Sequence, residues 1–577
     1  MTESVRFPRS VPAAPPAPTR YWPGRVPTRI SVPQTSVWDN LAINARRYPD
    51  HAALVFFEQV VTYAQMLAMT ERLAAHLHAQ GVRKGDRVIL LMQNCPQLVI
   101  AHYAILRANA VVVPVNPMNT AEELQHYITD ADACVAITTA DLAAGLAQAN
   151  NAVPADAQLR HLLITHFSDA MPVDAAAQPD FPPAWQKWLL TQHAQPDAAL
   201  LPGATVATWQ QAMQCGDAVP PVDVGAQDMA ILPYTSGTTG KPKGCVHAHS
   251  HIQHAVIAGT VWGRQTAESV NLVVAPMFHI TGMVSIMHVL IGAGSTLVIM
   301  PRWERALAGS LMTRWRVTHW ANIPTMVVDL LASPALDQID KRSLVYIGGG
   351  GAAMPQAVAQ RVKHVWGLDY IEGYGMTETC GASHANPYEH PKQQCLGVPH
   401  IGMKSLVIDP ETLQELPAGE TGEIVVAGPQ VLQAYWKQPA ATAASFVQVG
   451  GQRYFRTGDL GYRDEDGYFF LTDRLKRMIN ASGFKIWPAE VESLMYRHPA
   501  ILEACVIAAR DPYRGETVKA VVVLRPEFVG KATSEDIIAW CHEHMAVYKA
   551  PRVVQLVDQL PKSGSGKVMW RLLQEKE

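Results

Sequence analysis

The densest run of chemically capable side chains is Tyr234-Thr-Ser-Gly-Thr-Thr-Gly-Lys-Pro-Lys-Gly244, which follows the apolar stretch 229–232. Thr235, Ser236, Thr238 and Thr239 bring hydroxyls, Lys241 and Lys243 bring ammonium groups, and Gly237, Gly240 and Gly244 let the backbone turn its N–H groups inward. Such a turn at a strand end can grip a polyphosphate. It is not a GxxxxGK[ST] loop, because Thr235 stands where that pattern needs its first glycine. A plain surface loop would need neither the lysines nor the strand before it.

Further clusters lie downstream. Gly373-Tyr-Gly-Met-Thr-Glu378, behind the apolar piece 368–371, offers a hard oxygen ligand for Mg²⁺ in Glu378, a hydroxyl for phosphate or carboxylate in Thr377, and a flat face for a purine in Tyr374. Taken singly, this set is unspecific. Val345-Tyr-Ile-Gly-Gly-Gly-Gly-Ala-Ala-Met354 reads as a strand running into glycines, the last being Gly351, then a helix with Val358, Val362, Val365 and Trp366 on one face. Glycine there admits either a ligand against the backbone or tight packing. Arg456-Thr-Gly-Asp459 and Asp473-Arg-Leu-Lys476 read as acid-bearing turns. Asp459 could accept from paired ribose hydroxyls, and Arg474 could fork onto sugar or phosphate oxygen. Leu560-Pro-Lys-Ser-Gly-Ser-Gly-Lys567 sets a lysine on a glycine hinge, a composition that also suits a loose tail. His247, His249, His251 and His254 are spaced like metal ligands but bring no carboxylate with them.

These clusters need elements to position them. A helix from Trp38, strands over 53–57, 88–92 and 111–115, and helices over 62–80 and 97–107 alternate, which predicts an α/β fold of parallel-type sheets wrapped by helices. The stretch 283–300, broken by His288, Gly292, Gly294 and Ser295, reads as a buried helix followed by a strand rather than a membrane span. Residues 169–228, rich in Ala, Pro and Gln without periodicity, read as a surface insertion outside the core. The last hundred residues read as a small α+β unit: a helix over 488–497, strands over 504–509 and 517–524, and a helix over 533–545 capped by Thr533. The expected division is a flexible arm over 1–35, a large domain over 36–475 and a small domain over 476–577.

Composition narrows the class. The 577 residues carry 47 Lys+Arg against 50 Asp+Glu, a formal charge of −3, so no basic field exists to hold nucleic acid. The cysteines at 95, 134, 215, 245, 380, 395, 505 and 541 form no CxxC pair, which argues against zinc or disulfide frameworks and fits a reducing, cytoplasmic location. The first 35 residues hold eight prolines and five arginines against the single acid Glu3 and lack the apolar core of a secretory signal. The same prolines spoil the amphipathic helix of a transit peptide.

Taken together and in this order, the clusters resemble those of the adenylate-forming acyl-CoA synthetases, the superfamily that includes firefly luciferase and the adenylation domains of peptide synthetases. The resemblance runs from about Trp38 to Lys567, with bacterial medium- or long-chain fatty-acid–CoA ligases the most alike. Departures are Ala248, where a Thr usually precedes the His, and a glycine run at 348–351 longer than many members carry. The resemblance implies a luciferase-like large domain and a small mobile one, with ATP and coenzyme A as co-substrates and Mg²⁺ as cofactor. It implies that a carboxylate and ATP give acyl-AMP and pyrophosphate, and that the thiol of coenzyme A then displaces AMP. Carried over residue by residue, Thr235, Ser236, Gly237, Thr238, Thr239, Gly240 and Lys241 hold the β/γ-phosphates, Glu378 carries Mg²⁺, and Thr377 contacts the α-phosphate. Asp459 takes the ribose hydroxyls with help from Arg474, and Lys567 bridges the carboxylate and the α-phosphate. Lys476 is the hinge, and Gly483 within Ser482-Gly-Phe-Lys-Ile486 lies beside pantetheine.

The acid itself is less determined. Pro276-Met-Phe-His-Ile-Thr-Gly282 resembles the acyl-pocket segment, with His279 near the carboxylate where amino-acid-activating relatives place an aspartate. Met277, Phe278, Ile280, Met283, Ile286 and Met287 offer apolar walls, although the last three suit a buried helix equally. A medium- or long-chain fatty acid is expected. An aromatic or steroid-derived acid, an acyl-AMP ligase loading a carrier protein, and a non-catalytic nucleotide or acyl sensor are the alternatives. No transmembrane segment is expected; peripheral membrane contact and a homodimer stay open.

Overall fold

The computed structural model describes residues 19–178, 180–191, 200–235, 242–474, 477, 479–481, 484–486, 488–511, 515–562 and 568–577. The chain has a large N-terminal α/β part and a small C-terminal one. Two nine-stranded sheets form the large part. In the first, Ile371–Met376, Tyr346–Gly350, His319–Asn322, Val270–Val273, Thr296–Ile299 and Ala52–Phe56 run side by side in parallel, and Gly381–Ala385, Val398–Pro399 and Gln59–Thr62 close its edges in antiparallel fashion. The second sheet has Arg87–Leu91 at its centre beside Val111–Pro114 and Ala133–Thr139, and Lys243–Ala248 near one edge. One core joins these sheets, and the helix Pro96–Arg107 is buried from Pro96 to Leu106, its sequence being apolar on all faces but for Gln97 and His102.

Local rules account for the ends of elements. Thr62 and Gln65 form a reciprocal cap on Tyr63–Ala79, as Thr533 and Asp536 do on Ser534–His544. The C-terminal sheet pairs Ile501–Asp511 with Gly515–Leu524 in antiparallel register and adds Val553–Leu556 in parallel. Ile537 and Cys541 face its core. A third, all-antiparallel sheet contains Gly422–Ala427, Gln452–Arg463 and Phe469–Arg474.

Three expectations need correction. The two acid-bearing segments are strands, not turns: Asp459 lies within Gln452–Arg463 and its Cα faces that of Arg474 on the neighbouring strand. The stretch 169–228 is not wholly peripheral. Thr205–Thr208 extends the second sheet in parallel with His161–Thr165, while Phe181, Leu189 and Trp209 sit in the main core. Widely spaced aromatics anchor it, a signal that periodicity does not register. The expected arm makes contacts with the large part from Thr19 onward: Trp22 packs edge-on against Trp262 at 5.3 Å, Tyr21 lies 4.8 Å from His390, and the Gly402 amide donates to the Thr28 carbonyl. Among the described residues no helix is long and apolar enough to cross a membrane.

Backbone proximity explains the glycine run. A Cβ at Gly349 would lie 1.8 Å from the Asn322 carbonyl oxygen, and at Gly348 or Gly350 2.4 Å from the Ile371 or Gly373 oxygen. Adjacent strands, rather than the following helix, require these glycines. The core is also rich in histidine. Burial pushes His102, His247, His384 and His400 down to about 3 and His161, His249, His251 and His319 to about 4.

Gly349→Ala should lower stability by roughly 2–4 kcal/mol, read as a fall in urea midpoint at unchanged slope. A parental midpoint would contradict the close strand approach. The histidines set a pH dependence: below pH ~6.5 the unfolded chain takes up protons that the folded core refuses, each such group removing up to about 1.4 kcal/mol per pH unit. Their contribution is complete above pH ~6.5 and is lost as pH falls towards the folded values. The urea midpoint should therefore drop between pH 7.5 and 5; a constant or rising midpoint would contradict a neutral histidine core.

Candidate active site

The lysine loop is anchored on both sides. Ser236, Gly237, Thr238, Thr239, Gly240 and Lys241 lie outside the described residues, but Thr235 pairs with Lys243 and Tyr234 with Gly244 in antiparallel register. The Tyr234 hydroxyl donates to Asp130 Oδ2 at 2.6 Å, and burial, followed by this contact, raises the phenol far above its usual range. Trp436 Nε1 donates to the Asp130 carbonyl at 2.8 Å, closing the same corner.

The strand Lys243–Ala248 then pairs with Ala434–Tyr435, which carries the chain to the second cluster. Tyr435 donates its hydroxyl proton to Glu378 Oε1 at 2.9 Å, and burial followed by the Glu378 charge raises its pKa. Glu378 sits in the short 3₁₀ turn Thr377–Thr379, and Cys380 follows in the left-handed region at φ 52°. The residues before this turn, Gly373 to Met376, belong to the strand Ile371–Met376 itself, which begins later than the apolar piece 368–371 suggests. Gly375 is required there, since its Cβ would lie 2.0 Å from the Gly381 oxygen.

From the same strand, Tyr374 donates to Asp459 Oδ2 at 2.6 Å, tying the first sheet to the third. Asp459 is 2% exposed, and its amide donates to Thr457 Oγ1. Arg456, the first residue of that motif, is held by Glu423: its Nε reaches Oε2 at 2.9 Å, and Oε1 of the same carboxylate accepts from the Gly458 amide at 3.1 Å. Glu423 is 1% exposed and Arg456 half-buried, so a buried carboxylate braces the Asp459 segment through its ion pair and the Gly458 amide. Gly458, at φ 70°, supplies the local change of direction.

His279 is half-buried, and its Nδ1 is 3.4 Å from the Thr281 amide, which donates to it at the start of the π-helical segment Thr281–His288. That segment packs on the acid turn: a Cβ on Gly381, at φ 103°, would meet Ser285 Oγ at 2.5 Å. Met277, Ile280, Met283, Ile286 and Met287 are all buried in the main core, while Phe278 is half-buried. Gly351, exposed at φ 88°, continues the strand whose Gly350 pairs with Gly373.

Thr235, Tyr374, Thr377, Glu378, Asp459 and the backbone of Arg474 are thus linked through paired strands and two phenol–carboxylate hydrogen bonds. Lys476, Gly483 and Lys567 lie outside the described residues, and the chain on either side is fixed: Ala481 pairs with Phe484, and Lys562 with Val568. Tyr435 and Glu423 complete the arrangement without belonging to any of the sequence clusters. Glu423, a lone acid opening the apolar run Gly422–Ala427, is the one whose position carries a readable signal. Among the described residues no group of three or more His, Cys, Asp or Glu could hold a metal; of the spaced histidines, His247 and His251 meet through their Nδ1 atoms, His249 Nδ1 accepts from the Val37 amide, and His254 Nδ1 meets Gln430 Oε1.

Residues 41–436 match the AMP-binding enzyme family, and residues 490–567 match the AMP-binding enzyme C-terminal domain. A long-chain-fatty-acid–CoA ligase of Bacillus subtilis (strain 168) is 33% identical over 563 residues, covering 96% of this chain and 97% of that one. A feruloyl-CoA synthase of Amycolatopsis sp is 32% identical over 530 residues, 91% of this chain and 96% of that one. Among solved structures, ATP-bound MatB from Rhodopseudomonas palustris superposes with a TM-score of 0.76 at 26% identity, covering 94% of this chain and 99% of that one. The order of motifs, the sheet architecture and the full-length similarity agree: the chain belongs to the AMP-binding enzyme family and is an AMP-forming acid–CoA ligase.

Proposed function

We propose that the protein converts a medium- or long-chain fatty acid to its CoA thioester at the expense of ATP, through an enzyme-bound acyl-adenylate. The observation that carries this reading is that the strand Ile371–Met376 holds Asp459 of the third sheet through Tyr374 and leads into Glu378, which Tyr435 of the second sheet holds. In the first half-reaction a carboxylate oxygen attacks the α-phosphorus, and the bond to the β-phosphate oxygen breaks to release pyrophosphate. Cations and N–H dipoles must stand ready where charge accumulates. We assign that task to residues 235–241 for the β/γ-phosphates, Thr377 for the α-phosphate, Lys567 between the two reactants, and Asp459 with Arg474 for the ribose. Tyr374 and Gly351 border the nucleotide, and His279 the carboxylate.

Glu378, oriented by the Tyr435 hydroxyl at the end of the strand Ile371–Met376, presents a hard carboxylate oxygen. That donor set suits Mg²⁺, which keeps water and substrate phosphate in its shell. Bound with ATP, the ion would neutralise phosphate charge.

In the second half-reaction the thiol of coenzyme A loses its proton, its sulfur attacks the acyl carbon, and AMP leaves. A small domain beginning at 476, turning about Lys476, would withdraw Lys567 and bring Gly483 beside pantetheine. The apolar residues flanking His279 and the similarity to fatty-acid ligases favour an aliphatic chain. The 32% identity to a feruloyl-CoA synthase supports a second reading, in which a ring-bearing acid occupies the same walls.

Lys567→Ala should reduce adenylation by about 100-fold or more while leaving thiolation of supplied acyl-AMP within about threefold. Equal loss of both half-reactions, measured separately, would contradict the two-position scheme. AMP release should be fastest with aliphatic acids across a panel of fatty, aromatic, sterol-side-chain, dicarboxylic and amino acids, with turnover sustained only when CoA is present. A dicarboxylate or amino acid as best substrate would overturn the apolar pocket, and an aromatic acid would establish the second reading.

A further inference from the structure

The turn bearing Glu378 has three consecutive carbonyls, and each is held from outside it. The Thr377 carbonyl accepts from His247 Nε2 at 2.7 Å, the Glu378 carbonyl from the Leu432 amide at 2.8 Å, and the Thr379 carbonyl from Gln430 Nε2 at 2.8 Å. A carbonyl supplies no proton, so His247 Nε2 must carry one. In the neutral ring Nδ1 is then bare and accepts from His251 Nδ1, 3.2 Å away. Gln430 is pinned in the same manner: its amide nitrogen also donates to the Ala382 carbonyl at 2.7 Å, and its Oε1 accepts from His254 Nδ1 at 2.9 Å.

These donors share an origin. His247 lies on the strand Lys243–Ala248 that leaves the lysine loop, and His251 and His254 lie on the following helix His249–Trp262. All three are buried. The segment directly after the phosphate-binding loop therefore grips the acid turn by its backbone. Such a grip has a physical purpose, because the turn leads into Cys380 at φ 52°, a conformation that a side-chain-bearing residue holds only when its surroundings impose it.

We propose that His247 is a positioning residue for adenylation, fixing the Thr377–Thr379 backbone against the strand Lys243–Ala248, with His251 locking its tautomer. The inference rests on the reading that Thr377 and Glu378 serve ATP. His247 touches no reactant in this scheme; it acts through the carbonyl it holds. An aliphatic side chain of similar size would fill the space but leave that carbonyl only the Cys380 amide of its own turn, at 3.1 Å, and no tie to the strand Lys243–Ala248, so Glu378 and Thr377 would drift relative to the phosphates.

The test is ATP–pyrophosphate exchange in the full chain, with His247→Leu, His247→Gln and His251→Leu compared at saturating and limiting substrate. His247→Leu should lower the exchange kcat about tenfold or more, leave KM for the fatty acid within about twofold, and spare transfer of supplied acyl-AMP to CoA. His247→Gln, whose amide nitrogen can donate to the same carbonyl, should recover most of the rate. A parental rate for His247→Leu, equal damage in the Gln variant, or equal loss of both half-reactions would overturn the proposal. Should His247→Leu not fold, His251→Leu decides: it keeps the donor but frees the tautomer, and a rate drop of about threefold is expected, whereas a parental rate overturns the proposal. Absence of exchange in the unaltered enzyme would instead overturn the reading of the Thr377–Glu378 turn on which the proposal rests.

Discussion

Coulomb repulsion between a carboxylate and a triphosphate is the constraint that this chain has to meet. Two anions do not approach within bonding distance unless fixed cations, hydroxyls and N–H groups surround them, and such groups help only if they are aimed before the reactants arrive. No single element can present them all. The lysine loop hangs from an edge of the second sheet, Glu378 stands at the end of a strand of the first, and Asp459 lies on the third. Two phenol hydroxyls, Tyr435 on Glu378 and Tyr374 on Asp459, join these sheets at the carboxylates themselves. Each donates to an anion, so each fixes an orientation without neutralising the charge.

Behind this front the interior is polar in an ordered way. His102, Tyr103 and His288 form one buried chain, with the two imidazole Nε2 atoms 3.0 Å apart and Tyr103 Oη 2.9 Å from His288 Nδ1. His247 and His251 form another. Held neutral by burial, such rings donate and accept in defined directions: the first chain joins helix Pro96–Arg107 to the segment Thr281–His288, and the second joins the strand Lys243–Ala248 to helix His249–Trp262. The Glu423–Arg456 pair does comparable work beneath Asp459: removing Arg456 would leave the Glu423 carboxylate in the protein interior without its cation.

Much of this was legible from sequence because it is local. Alternating strands and helices, the Thr533 cap, and the clusters at 234–244 and 373–378 all declare themselves within a few residues. Features built by distant partners were not. Arg456 and Asp459 look like a turn until Glu423, more than thirty positions away, is seen to hold Arg456 and the Gly458 amide within a strand, and nothing near Tyr435 announces that its hydroxyl meets Glu378. The glycines at 348–350 suggested an approaching ligand or helix, whereas the Asn322, Ile371 and Gly373 carbonyls of neighbouring strands are what leave no room for a side chain. Residues 19–35 and 169–228 misled for a related reason: a few aromatics such as Trp22, Phe181 and Trp209 anchor irregular chain by single contacts, and their spacing carries no period.

Isotope transfer tests the central claim most directly. If these groups make a carboxylate oxygen attack the α-phosphorus, turnover of a fatty acid labelled with ¹⁸O in both carboxylate oxygens, in the presence of ATP and CoA, must deliver one labelled oxygen to AMP, because thiolysis of the acyl-adenylate breaks the acyl carbon–oxygen bond. Label recovered in inorganic phosphate or pyrophosphate, or AMP free of label during active turnover, would contradict the account.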